Sequence, residues 1–351
     1  MKLSAVCCTL ALALGTIPPA MAQDHAILGP RFGQDAGNDP AARAVIRRAG
    51  AALDRPPGAV PQLHTEGTLP GQGIRDASLQ AKQDQPIVLD LALAWRLTGD
   101  RRYLDQAGRY LEAWVDTYRM SFNPIDETGF DALILATDLT EADLPAPLQD
   151  KLQDFWRRMA SGYLDAMEGK ARNSANNWQS HRVKLATMAA YAVGDPGLIS
   201  RARQAFRRQV TANIRPDGST LDFEQRDALH YVTYDLDPLL MAALAAKAHG
   251  EDWIDWKSPA GSSLAGALDW LEPYATGGKA HVDFVNSTVP FDRQRAAAGE
   301  SAYVPRPWKA GSAVNTFAMA ALVDPAYRDV AAALASRTGS KPADWVSLYA
   351  R

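Results

Sequence analysis

Apolar residues recur every three or four positions from Tyr103 onward, where Leu104, Ala107, Leu111, Trp114 and Tyr118 share one helical face. The stretch before it, 87–97, is apolar nearly all round, which predicts a helix buried on most sides. Gly99-Asp100 separates the two: Gly accepts the left-handed backbone that ends a helix, and Asp is a favoured cap for the next one. The same punctuation returns at Gly194-Asp195-Pro196, with Pro at a permissible first helical position, and more loosely at Gly250-Glu251-Asp252. Val323-Asp324-Pro325 splits helical stretches at 316–322 and 326–334. Helical hairpins recurring without a strict sequence period predict an all-α fold of helix pairs stacked around an axis, an (α/α)n toroid or incomplete α/α barrel. The polar or Gly-rich connections at 64–81, 121–129, 170–175 and 216–224 would gather at the rim of such a fold and line a cleft. Within 280–307, β-favouring runs such as His281-Val282-Asp283-Phe284-Val285 predict short strands or a lid near residues 280–305.

The amino terminus follows another pattern. Lys2, an apolar run from Leu3 to about Leu14, and Ala20-Met21-Ala22 before Gln23 have the layout of a secretory signal over residues 1–22. This predicts a periplasmic or secreted protein with a single toroid domain over 23–351. Both cysteines, Cys7 and Cys8, fall inside that leader, so no disulfide and no cysteine metal site is expected in the mature chain. After Gln23 no window reaches the roughly 18 apolar residues of a membrane span, so no membrane association is expected once the leader is removed. A net charge of −3 argues against a general nucleic-acid partner but leaves room for a local basic groove that takes a polyanion.

The densest chemistry lies in Asn176-Asn177-Trp178-Gln179-Ser180-His181-Arg182, which groups two amides, an indole, an imidazole and a guanidinium. On a helix, Asn177 and His181 are four positions apart and share a face. A second cluster, Arg226-Asp227-Ala228-Leu229-His230-Tyr231-Val232-Thr233-Tyr234, repeats guanidinium, imidazole and phenol, and the two predict one site joined by folding. Of the nine tryptophans, Trp178 is the best candidate to stack on a sugar ring. The six histidines include no pair at the HExxH spacing, so no metal is expected. There is no GxSxG elbow, phosphate loop or dinucleotide fingerprint, so no cofactor is expected either.

One reaction needs Asn, His, Arg and Tyr together: β-elimination on a uronic acid. The C5 proton is acidic only because the adjacent carboxylate accepts charge, so the site must neutralise that carboxylate with donors that strengthen as charge develops. A phenolate or imidazole takes the proton, a phenol protonates the leaving O4, and Arg favours the charged form of a neighbouring Tyr.

The Asn-Asn helix start, followed by an Arg-containing segment ending in Ala228-Leu229-His230-Tyr231, resembles the alginate lyase superfamily of α/α-toroid polysaccharide lyases. His64-Thr65-Glu66-Gly67, the run from Leu91 to Asp100, and Asn123-Pro124-Ile125-Asp126-Glu127-Thr128-Gly129 also resemble it, so the likeness covers about 60–240. The resemblance implies a neutralising Asn177, an Arg226 in the site and a catalytic Tyr231. Mannuronate lyases carry His directly after the second Asn; here Trp178 stands there, with histidines at His181 and His230. The Asn-Asn-Trp-x-Ser-His-Arg form is closer to the glucuronan and alginate lyase branch, polysaccharide lyase family 38, with likeness also to family 5.

The expected activity is lyase cleavage of a β-1,4-linked polyuronate, glucuronan or alginate, by Asn177, His181, Arg226, His230, Tyr231 and Tyr234. Tyr231 serves as base and acid, Tyr234 is its rival, and Trp178, Arg182, Asn123, Glu127, Gln72 and Arg75 hold neighbouring sugars. Helix capping is the alternative role for Asn177, and pairing with Glu224 or Asp227 for Arg226. The rival activities are a glycoside hydrolase, with carboxyls drawn from Asp126, Glu127, Glu224 and Asp227, and a non-catalytic polyuronate-binding protein.

Overall fold

The computed structural model describes residues 25–29, 32, 39–169 and 174–350, so the leader expected over 1–22 lies outside the described residues, as does most of the 170–175 connection. The first helices are α1 (Pro40–Ala51), α2 (Gly73–Ala81), α3 (Asp84–Thr98), α4 (Arg101–Thr117) and α5 (Phe130–Thr140). They are followed by α6 (Ala146–Glu168), α7 (Asn177–Ala192), α8 (Pro196–Asn213), α9 (Leu221–Arg226) and α10 (Leu229–Ala248). The last are α11 (Leu264–Thr276), α12 (Pro290–Ala297), α13 (Val314–Val323), α14 (Arg328–Thr338) and α15 (Asp344–Tyr349). One antiparallel ribbon pairs β1 (Val282–Asp283) with β2 (Arg306–Pro307), at the edges of the segment where strands or a lid were expected.

The helices form a toroid. Packing runs from α3 to α5, α7, α10 and α13 as an inner ring, with α4, α6, α8, α11 and α14 outside and α15 reaching from α13 to α1. The sequence separates the rings. Helix α4 is amphipathic, with Tyr103, Leu104, Ala107, Tyr110, Leu111 and Trp114 inward, whereas every residue of α7 except Trp178 is buried. Gly99 adopts φ 68° and Asp100 accepts from the Arg102 amide; Asp195 accepts from Gly197 and Leu198, and Asp324 from Ala326. Gly250-Glu251-Asp252 differs. Asp252 accepts from the amide of Ile254, a turn rather than a cap, and the next helix waits until Leu264, capped by Ser263. The connection at 64–81 also ends in a helix, α2, rather than staying irregular.

A central cavity of about 470 Å³ is lined by Gln85, Asp131, His181, Tyr234 and Asn315, among others, one from the first two turns of each inner helix. Five helices therefore start at one rim, and their amino-terminal dipole ends favour an anion there. No helix of the described residues is long and apolar enough to cross a membrane.

Candidate active site

Helix α7 begins with a division of labour between adjacent asparagines. The Asn176 side chain caps the helix by accepting from the Trp178 amide at 3.2 Å. Asn177, inside the helix and 2% exposed, turns instead to Asp222 of α9, so the capping role falls to its neighbour. One Asp222 oxygen accepts the Asn177 backbone N–H and the other its side-chain amide, each at 2.6 Å. Asp222 also lies 3.5 Å from Nε of Arg226.

Arg226 is partnered by Asp222 and by Asp292 of α12, not by Glu224, which pairs with Arg215 at 2.6 Å, nor by Asp227. Its guanidinium carbon lies 3.9 Å from the centroid of the Tyr231 ring, a cation–π contact. Two carboxylates and a ring thus occupy this arginine, which supports Tyr231 from below. Asp227 ends α9 at φ 49°; its carbonyl accepts from the Phe284 amide and its carboxylate from Asn286. These bonds fold the 283–303 segment over the start of α10, where Asp283 accepts from the Leu229 amide at 2.7 Å.

That segment supplies a second arginine. Nη1 of Arg295 donates to the Tyr303 hydroxyl at 2.7 Å and reaches the Tyr231 hydroxyl at 3.4 Å, and the two phenolic oxygens are 3.5 Å apart. Burial pushes the Tyr231 phenol well above its ordinary range, with Arg226 and Arg295 pulling the other way. The expected lowering of the tyrosine by its arginine is therefore present as an opposing effect that burial outweighs. Burial likewise raises Tyr234.

The histidines pack against these rings. Tyr234 stands edge-on to Tyr231 at 6.1 Å and meets the His181 ring at 4.4 Å. His181 Nδ1 is 2.7 Å from the Thr128 hydroxyl, which Lys184 also holds at 2.8 Å. Burial first and the Lys184 charge second push His181 well below its ordinary value, so it stands neutral. His230 lies 5.3 Å from the Tyr231 ring and is also lowered, by burial and then by Arg306, Arg226 and Arg295.

Among the residues expected to hold sugars, Trp178 is half-buried with the Arg182 guanidinium 5.7 Å from its ring centroid, and Arg182 itself is buried and donates to Gln179. Glu127 is a correction. It is fully buried and accepts from Tyr118, Ser121, Phe122 and Tyr163, because a carboxylate with that many donors around it is the centre of its loop. Asn123 turns the same loop by accepting from the Ile125 amide. Gln72 is exposed and accepts from Leu69, and Arg75 faces Glu300 at 3.8 Å. The carboxyls available to a hydrolase are all engaged: Asp126 accepts from Thr65 and Glu66, Glu127 from its own loop, Glu224 from Arg215 and Asp227 from Asn286. Among the described residues no cluster of three His, Cys, Asp or Glu is placed to hold a metal ion.

The alginate lyase family model matches residues 33–281 of this chain. The chain belongs to the alginate lyase family. An alginate lyase from Bacteroides ovatus shares 18% identity over 93% of this chain and 99% of its own, with a TM-score of 0.67. Alginate lyase A1-III from Sphingomonas species A1 shares 19% over 75% of this chain and 82% of its own, at 0.50. Alginate lyase A1-III complexed with tetrasaccharide, in a histidine-to-alanine variant, shares 20% over 69% and 78%, at 0.52. These structures share the fold, and no curated protein matches the chain.

The family match ends before Asp283 of β1 and before Asp292, Arg295 and Tyr303, which lie between the two strands and contact the start of α10 and Arg226. Sequence reasoning named that segment for its strand-like run and missed these four. Asp222 was missed too, although its place one helical turn before Arg226 was the available signal.

Proposed function

We propose that this member of the alginate lyase family cleaves a β-1,4-linked polyuronate, glucuronan or polymannuronate, by β-elimination, leaving an unsaturated uronate end. The observation that carries the reading is a run of contacts, Asn177–Asp222–Arg226–Tyr231–Arg295–Tyr303, that passes from the start of α7 through α9 to the start of α10 and the 283–303 segment. Asn177 supplies an amide N–H to the substrate carboxylate, where charge grows as the C5 proton leaves. Neutral His181 and His230 add N–H donors without a cation. Tyr231 transfers the proton, and the arginines around it stabilise its anionic form. The dipole ends of the inner helices and the basic groups Arg295 and Arg306 suit a polyanionic chain.

The deciding assay incubates the protein with glucuronan, polymannuronate and polyguluronate and follows the ultraviolet absorbance of the conjugated product. A rise on glucuronan or polymannuronate is the expected result. New reducing ends without the rise mean a hydrolase, and binding with neither means a carrier. The same reading includes export after removal of residues 1–22, checked by N-terminal sequencing of the exported protein, which should start at Gln23.

A further inference from the structure

Helix α8 carries four arginines, and the fold treats them in two ways. Arg201 is paired with Asp165 and Glu168 of α6, and Arg203 with Glu251. Arg207 and Arg208, nearer the end of the helix, are exposed and have no carboxylate at ion-pair distance among the described residues. Like charges left side by side repel, and an anion bound between them relieves the repulsion.

The two arginines frame a depression of about 270 Å³ with Thr211, Trp256 and Pro259. Two guanidiniums, a hydroxyl and an indole line it, and no carboxylate does. The Arg207 guanidinium carbon lies 5.6 Å from the Trp256 ring centroid. An arginine held on an aromatic face keeps its in-plane N–H groups for a carboxylate. The depression beside α9 is the opposite case, because Asp217, Glu224 and Asp227 line it and would repel a polyanion.

The indole is fixed in place by its own segment. Glu251 accepts from Arg203 and from Nε1 of Trp253, and Trp253 packs 4.9 Å from Phe206 of α8. The Ala265 amide donates to the Ile254 carbonyl at 3.3 Å and the Ser258 amide to the Ser262 carbonyl at 2.8 Å. These bonds hold 251–263 against the outer ring, with Trp256 half-buried. The depression also lies at the catalytic end of the toroid. Gln209, next to Arg208, donates to the carbonyls of Ala175 and Asn176 at the start of α7, and Asn213 donates to Asp235 of α10.

We propose that Arg207, Arg208 and Trp256 form a second polyuronate-binding site on the outer wall of the toroid. A uronate carboxylate sits on the guanidiniums, and the apolar edge of its ring rests against Trp256 and Pro259. The identity of the polymer rests on the lyase reading above. A long chain engaged here and in the cleft is held twice, which raises avidity without touching the chemistry. A chain too short to reach both gains nothing.

The test is the double variant Arg207→Ala, Arg208→Ala in the full chain, assayed on the polyuronate that the wild type cleaves and on its tetrasaccharide. The polymer KM should rise ~10-fold with kcat little changed, while the tetrasaccharide constants stay within about twofold. The polymer KM should also become less sensitive to salt, and the unfolding midpoint should not move. Lysine at both positions keeps the charge without the planar fork and should recover only part of the polymer KM. An unchanged polymer KM overturns the proposal, as does an equal rise on the tetrasaccharide, which marks a disturbed cleft. Retention on immobilised glucuronan, polymannuronate and dextran sulfate supplies a readout without turnover. Loss of retention on dextran sulfate alone marks a general anion patch and also overturns it. A wild type that forms no unsaturated product, yet loses polyuronate retention in the double variant, keeps this site and sinks the lyase reading. A wild type that neither cleaves nor retains a polyuronate sinks both.

Discussion

Asn177 and Asp222 are joined twice, through the backbone N–H and the side-chain amide of one residue and the two carboxylate oxygens of the other, each at 2.6 Å. An amide is planar, so fixing one N–H on Asp222 fixes where the second N–H points. Asp222 is fully buried and its burial raises its affinity for a proton, yet both Asn177 contacts are donors, so it serves as an acceptor. Asp222→Ala should lower both stability, by about 3–5 kcal/mol as for a buried ion pair broken on one side, and kcat. Asp222→Asn keeps the shape and should recover stability more than kcat. Urea unfolding and steady-state kinetics on the two variants check this ordering.

The adjacent asparagines separate capping from catalysis. Asn176→Ala removes the cap and should cost about 1 kcal/mol with turnover nearly intact. Asn177→Ala removes an oxyanion-type donor and should lower kcat about 10²–10³-fold. Equal turnover in the two variants would take Asn177 out of the site.

Tyr231→Phe keeps the ring on Arg226 and loses only the hydroxyl. The variant should fold, bind oligouronate and lose about 10²–10⁴ in kcat. Tyr234→Phe should be much milder, because it keeps the ring that packs against His181 and Tyr231. The opposite ranking, measured by initial rates, would move proton transfer to Tyr234.

Glu251 sets an acid limit. It accepts two bonds from Arg203 at 2.6 Å and one each from Trp253 and Tyr191 at 3.0 Å, and Arg203 first among these holds it at about 2 against an ordinary 4.5. A depressed carboxylate pKa stabilises the fold fully above the unfolded value and loses that contribution as pH falls through the folded one. The unfolding midpoint should therefore drop between pH 4.5 and about 2, and Glu251→Gln should flatten that part of the curve. An unchanged slope in the variant would show that other carboxylates govern acid unfolding.

What the sequence by itself determined is local. Spacing at three and four positions marks α4, and Gly-Asp punctuation marks the ends of α3 and the start of α8, because caps and periodic faces are written within a few residues of the element they shape. The residue types of the site were legible for the same reason: Asn177 and His181 share a turn of α7, as do Tyr231 and Tyr234 on α10. Partners were not. Arg226 sits next to Asp227 in sequence but is held by Asp292, Glu127 reads as a loop residue but is the buried centre of its loop, and the phenol nearest to Tyr231 Oη is Tyr303, 72 positions away. Only the closing of the toroid decides these, because each carboxylate and guanidinium has many possible partners in the chain. Burial, which sets the energetic cost of leaving one unpaired, exists only once the helices have packed.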